Sequence, residues 1–207
     1  HRRDENIPIE EVVETLLKFK KAGKINQFGF SEISPVSLAK ANKVHHVGAV
    51  QSEYSLSTRY PELGLLQKTK ELETALVAFS PVGRGLLTDT PPTKERVLAS
   101  PFLKVNPRFI GENLAENIKI IEKFQKLARD YSLSTAGLAI AWLLAKDKHI
   151  IPIPGTRSVS HLREMIKGAE FKLSQEDMIA IEQILPVGWA HGDRYSTNQW
   201  IGPEKYC

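Results

Sequence analysis

Cysteine is nearly absent: of 207 residues only Cys207 is one. A disulfide framework within the chain is excluded, and with it a small secreted fold stapled by bridges, so a reducing, cytoplasmic setting is the expectation. No apolar run reaches membrane-spanning length, and the start has no charged-then-apolar leader. Long blocks of one charge are missing too. Lys and Arg number 28 against 24 Asp and Glu, interspersed, for a formal charge of +4. Nucleic-acid binding gains little support from such a surface, whereas an anionic small molecule suits it. His45, His46 and His149 stand beside helix or strand ends with no acidic partner at ligand spacing, so no metal centre is expected. An initiator Met is also lacking. The opening "HRRDENIPIEEVVETLL" enters directly on a charged turn before a helix, as a piece of a longer protein would.

What is present suits one globular domain with a substantial core: 42% hydrophobic and 25% charged residues. Pro8 in a first helical turn, Ile9, Val12, Val13, Leu16 and Leu17 at helical spacing, and a stop at Gly23 predict a helix with one buried face. "KINQFGF" reads as a short strand, and Ser34-Pro35 opens a helix through "VSLAKAN". "VGAVQ" is the next apolar run, then a helix around "PELGLLQKTKEL", then the strand "TALVAFS". Pro81 to Gly111, with Pro91-Pro92, Pro101 and Pro107, predicts a long loop of the kind that carries function. "ENIKIIEKFQKLARDY" and, after Ser134, "TAGLAIAWLLAKD" read as helices, the second apolar nearly all round and therefore buried. "HIIPIP" is the last strand. A helix from Ser158 to about Gly168 follows, then one more with Ser174 and Asp177 spaced as a capping box. Short strands alternating with longer helices predict parallel βα units, either an open doubly wound sheet or half of a (β/α)8 barrel.

In such folds the site forms where strands end. Those ends are Ser31, Gln51, Ser80 and the turn Gly155-Thr156-Arg157. The turn precedes a helix start, whose free N–H groups and partial positive charge suit a phosphate; an ordinary strand-to-helix loop is the plainer reading. Ser31 and Ser80 also suit turn caps, and Gln51 a simple strand end.

The stretches "GKINQFGFSEIS", "VQSEYSL", "FSPVGRGLL", "AIAWLLAK" and "IPIPGTRSVSHLRE" together resemble the C-terminal half of the aldo-keto reductases, from His1 to about Leu185. The resemblance is greatest to broad-specificity bacterial and fungal, pyridoxal-reductase-like members. It implies an α/β fold, the C-terminal half of a (β/α)8 barrel, with the N-terminal four βα units outside this chain and residues 186–207 as a tail bordering the substrate pocket. It implies NADPH along the C-terminal rim, a small carbonyl substrate, and a tetrad of Asp, Tyr, Lys and His in which Tyr protonates the carbonyl oxygen as hydride arrives. His1 matches the tetrad His; the other three belong to the half not represented. Ser31 and Gln51 match the residues that hold the nicotinamide carboxamide, and Phe79 the ring that stacks on it, plain core burial being the other account. Ser80, Pro81, Val82, Gly83, Arg84 and Gly85 match the pyrophosphate loop, where small residues let backbone N–H groups approach and Arg84 adds charge. Gly155, Thr156 and Arg157 match the 2′-phosphate turn, and Glu164 the acid that meets the adenine amino group.

Two positions depart from the family pattern: His161 stands where Arg or Gln is usual, and Met165 where Asn usually reads adenine. Preference for NADPH over NADH therefore rests mainly on Arg157, with Met165 left to pack on the purine. In the tail, His191 and Asp193 fall in the pocket-bordering loop or on plain surface, and Trp189, Tyr195 and Trp200 either wall the pocket or pin the tail. The resemblance favours an NADPH-dependent carbonyl reductase. Its alternatives are a non-catalytic nicotinamide-binding barrel serving as sensor or channel-associated subunit, and a cofactor-free open α/β protein.

Overall fold

Sheet order and chain order coincide. The computed structural model describes residues 2–207, so His1, the catalytic candidate, lies outside the described residues. Four strands, β1 (Gly29–Ser31), β2 (Ala49–Glu53), β3 (Ala75–Phe79) and β4 (Ile150–Ile153), form one parallel sheet in the order β1-β2-β3-β4. A doubly wound sheet needs its strand order to reverse at a switch point; this one never does. Crossovers of one hand then put every helix on the same side, as in a barrel wall.

The helices are α1 (Ile9–Lys21), α2 (Pro35–Val44), α3 (Leu65–Glu71), α4 (Lys94–Ala99), α5 (Asn113–Asp130), α6 (Thr135–Lys146), α7 (Val159–Glu170) and α8 (Gln175–Ile184). Their starts are chemically marked. Ser34, Ser134, Ser158 and Ser174 each accept a backbone N–H of the first turn, and Ser174 with Asp177 completes the predicted capping box. Pro8 precedes α1 as its cap and is not inside the first turn.

Alternation along the strands sorts the two faces. Phe30, Val50, Leu76, Ala78 and Ile150 are buried under the helices. The opposite face carries Ser31, Gln51, Val77 and Ile151 in one register row and Glu53, Phe79 and Ile153 in the next. Among the described residues nothing covers its β4 side, where Ile151 is 51% exposed and Ile153 42%.

Three predictions about elements need correction. The strand expected over residues 24–30 is ordered as β only at Gly29–Ser31, and β2 runs on past Gln51 to Glu53. The helix expected over 61–72 is a 3-10 turn, Tyr60–Leu63, then α3, because Gly64 at φ +137° breaks the helical path. The long loop is substantially ordered: α4 starts on the Thr93 cap, and 3-10 turns occupy Gly83–Gly85, Leu103–Val105 and Pro107–Phe109. Proline suits the first turn of a helix, so Pro107 starts a 3-10 turn within the stretch expected to be loop. No helix among the described residues is long and apolar enough to cross a membrane.

Candidate functional site

After β3 the chain turns through Ser80 (φ +51°), Gly83 (+58°), Arg84 (+57°) and Gly85 (+91°), four left-handed residues of six. Two of them carry side chains that disfavour this region, so the surroundings must impose it. They do. Gly83 N–H bonds Ser80 O, Gly85 and Leu87 N–H both bond Val82 O, and Leu86 and Leu87 are fully buried beneath the turn. A side chain at Gly83 would bring its Cβ to 2.8 Å from Ser57 Oγ, so glycine is required for space as well as for φ.

This turn forms one wall of a groove of about 510 Å³. Phe79, Ser80, Pro81, Val82, Arg84 and Gly85 line that wall; Gly155 and Thr156 after β4, with His161, Glu164 and Met165 on α7, line the other. Eleven of the predicted residues, distant in sequence, therefore meet in one cleft. Helix α7 is set by a close backbone contact with α6, Gly168 against Gly137, and its start is organised by Thr156, which accepts the Ser158 N–H, and by Ser158, which accepts the His161 N–H. Helix α4 completes the rim with Arg96, an exposed arginine that sequence reasoning missed because it lay in the stretch read as loop.

The remaining predicted residues lie nearby. Ser31 and Gln51 are register partners on the open sheet face, and Gln51 also pairs with Val77, two residues before Phe79. Arg157 is exposed at the groove end, one residue past Thr156. Gly83 lies within the turn without lining the groove.

Arg84, expected to add charge to the turn, brings that charge paired. Its Nη2 lies 2.5 Å from Glu53 Oε2 and its guanidinium stacks 4.3 Å over the Phe102 ring, so a buried carboxylate already balances it. Glu53 belongs to a network that sequence reasoning did not find. Arg194, in the tail and without exposed surface, places Nη1 2.9 Å from Glu32 Oε1 and 3.7 Å from Glu53 Oε2, and donates from Nη2 to Cys207 Sγ. The Tyr195 hydroxyl also donates to Glu32, and burial, then the Glu32 charge, pushes that phenol up. Glu32 sits at φ +52° directly after Ser31, with its N–H on Gln51 O and its own O accepting the Glu204 N–H. The tail is thus tied to the strand ends that carry Ser31 and Gln51. A signal was available: in "FSEIS" and "QSEYS" an acid follows the strand's candidate residue, and both acids are buried.

One reading of histidine changes. His149 does have an acidic partner, Nδ1 to Asp147 Oδ1 at 2.9 Å, with Nε2 3.0 Å from Thr69 Oγ1. Asp193 is taken by the Tyr60 hydroxyl and Trp200 Nε1, while the His191 backbone N–H bonds Asn117. Trp189 Nε1 donates to Leu56 O, and Tyr195 packs edge-on to Trp200 at 5.4 Å, so these aromatics pin the tail.

Comparisons with known proteins identify the family and the fold. The aldo/keto reductase family model matches residues 1–186. A probable aldo-keto reductase 1 of Glycine max is 38% identical over 195 residues, covering 94% of this chain and 56% of the relative. An NADP(+) aldo-keto reductase of Schizosaccharomyces pombe is 34% identical over 94% of the chain and 58% of its own length. Among solved structures, the glycerol dehydrogenase of Gluconobacter oxydans superimposes with a TM-score of 0.75 at 25% identity, over 88% of this chain and 56% of that one. The chain spans slightly more than half the length of the curated relatives it matches. It belongs to the aldo/keto reductase family, and its sheet and helices are part of a (β/α)8 barrel.

Proposed function

We propose that the protein carrying this chain is an NADPH-dependent reductase of small aldehydes or ketones, with the groove between the 80–85 turn and α7 as its cofactor site. The observation that carries the reading is the convergence of eleven residues from two sequence-distant segments, 79–85 and 155–165, on that cleft. The fit to a dinucleotide phosphate is chemical. A turn with four left-handed residues presents backbone at close range, as a pyrophosphate requires. Arg157 and Arg96 are exposed and, among the described residues, have no ion-pair partner, so a phosphate would be their first counter-charge. Glu164 offers an acceptor to an adenine amino group, and buried Met165 an apolar surface to its ring. Ser31 and Gln51 would hold the carboxamide, and Phe79 the face of the nicotinamide, which when bound supplies hydride to the carbonyl. His1 is the tetrad member proposed for this chain. The S. pombe relative, named for NADP(+), supports the cofactor assignment.

The test is cofactor titration of the intact protein by fluorescence. Arg157→Ala should lose about 1.5–3 kcal/mol of NADPH binding, the usual range for a charge-assisted hydrogen bond, with little change for NADH. Equal weakening of both cofactors would remove Arg157 from the 2′-phosphate.

A further inference from the structure

Arg108 is a buried cation that forms no ion pair among the described residues. It is 7% exposed, in the 3-10 turn Pro107–Phe109, and its backbone is clamped at both ends: its N–H donates to Asn106 Oδ1 and its O accepts Asn117 Nδ2. Its Nη1 donates 2.9 Å to a neutral hydroxyl, Thr58 Oγ1, and its Nε has no partner. Among the described residues no carboxylate reaches ion-pair distance of it. The neighbouring acids are already committed. Glu32 faces Arg194 and Arg2, Glu53 faces Arg84, and Asp193 accepts from Tyr60, Trp200 and the Arg194 N–H. Of Arg84, Arg108 and Arg194, Arg108 is the one that forms no ion pair among the described residues; its link to Glu53 runs through the Thr58 hydroxyl, which donates to Glu53 Oε1. Burial, its largest influence, holds this guanidinium below its usual pKa, with Glu53 and Asp193 acting the other way. A buried charge without a direct counter-charge is costly, and a bound anion would offset that cost.

The setting matches that requirement. Arg108 lines a cavity of about 170 Å³ with Ser57, Thr58, Arg59 and Tyr60, bordered on the far side by the tail at residues 187–192. The lining includes no acid. Arg59 is held by Glu62 and Glu182 through its other nitrogens, yet its buried Nη1 has no partner. No residue is shared with the cofactor groove, whose volume is about 510 Å³, so the cavity suits one small group and not a nucleotide.

We propose that this cavity is a second site, for a small oxyanion, a carboxylate or a phosphate group, held by Arg108 with Arg59 beside it. Guanidinium nitrogens are the donors that carboxylate and phosphate oxygens accept from, and the fork geometry favours them over a spherical halide; the Thr58 hydroxyl is already spent on Glu53 Oε1.

The experiment follows the thermal unfolding midpoint of the intact protein at constant ionic strength, titrating sodium phosphate or sodium acetate in place of chloride. An Arg96→Ala/Arg157→Ala background removes the free cations of the cofactor groove, so the remaining response reports this cavity and stays interpretable if the cofactor assignment fails. A saturable rise with either anion is expected, and which one acts assigns the class. Arg108→Met should weaken the apparent affinity roughly ten- to a hundredfold, the loss of a charge-assisted hydrogen bond. Val187→Asp, at a 65%-exposed lining position, should abolish the response while the protein stays folded, and it decides the matter if Arg108→Met does not fold. Absence of a saturable response to both anions, or an unchanged response in Val187→Asp or in a folded Arg108→Met, overturns the proposal.

Discussion

The contact that sets the groove's second wall is a backbone contact, and Gly168→Ala tests it. A Cβ on Gly168 would lie 2.5 Å from both the carbonyl carbon and the Cα of Gly137, and closer still to the Gly137 oxygen. Ordinary contact begins near 3.4 Å, so α7 must move away from α6 by about 1 Å. The obstacle is backbone, which has no rotamer to yield. Overpacking costs about 1–3 kcal/mol, and this site belongs at the upper end; the better helix propensity of alanine returns about 1 kcal/mol. A net loss of about 2 kcal/mol remains. For a chain of this size each kcal/mol moves the midpoint by about 2–4 °C, so thermal unfolding followed by circular dichroism should show a fall of about 4–8 °C. NADPH affinity should fall as well, because the helix that moves carries His161, Glu164 and Met165. A rise in midpoint, the result propensity alone would give, refutes the close packing and with it the placement of α7 against the groove.

Three other outcomes are expected. The Lys70 ammonium, then the His149 ring, holds the Asp147 carboxyl well below the usual range. A lowered carboxylate pKa stabilises above the unfolded value near ~3.9, and that contribution is lost as pH falls through the folded value. Asp147→Asn should therefore cost up to about 1 kcal/mol at pH 7, limited by solvent screening at the exposed Lys70, and progressively less below about pH 4 in urea titrations; a cost independent of pH would exclude the ion pair as its source. Burial pushes the Cys207 thiol up to about 11, so a disulfide reagent near neutral pH should label it only after urea is added, and rapid labelling of the native protein would contradict its packing against Arg194. The 207-residue segment by itself should not oxidise NADPH with 4-nitrobenzaldehyde, whereas mixing it with the N-terminal half should restore turnover. Robust turnover by the isolated segment would place the proton donor within these residues.

Local chemistry explains what was readable beforehand. The serine caps, the apolar period of α1 and the all-round apolar α6 each depend on residues a few positions apart, so the alternation of strands and helices could be read directly. The residues of the groove were legible for a different reason: they match family stretches in order, and strand ends in a parallel sheet converge on one edge. Strand lengths were not legible. "KINQFGF" is apolar enough for seven residues, yet only Gly29–Ser31 finds a register partner, and pairing is a property of β2 as much as of β1. Likewise the proline-rich stretch was read by its breakers, although Thr93 and Asn106 cap short helical turns within it through bonds to Arg96 and Arg108 N–H groups.

The charged interior is where sequence reasoning had least to work with. Arg108 and Arg194 carry no local signal, and Glu32 and Glu53 only their place just past the strand-end candidates, since acids and arginines near strand ends and in tails are usually solvated. Their burial follows only once the tail folds back, when Asn106 Nδ2 bonds the Arg194 carbonyl and Asn117 joins Arg108 to His191. These contacts span 88 and 74 residues, beyond any local pattern. The same span gives them consequence. Because Glu32 follows Ser31 and Glu53 lies two residues past Gln51, any change in how the tail seats is felt at the strand ends proposed to hold the nicotinamide, and through Arg84 at the turn proposed to hold the pyrophosphate.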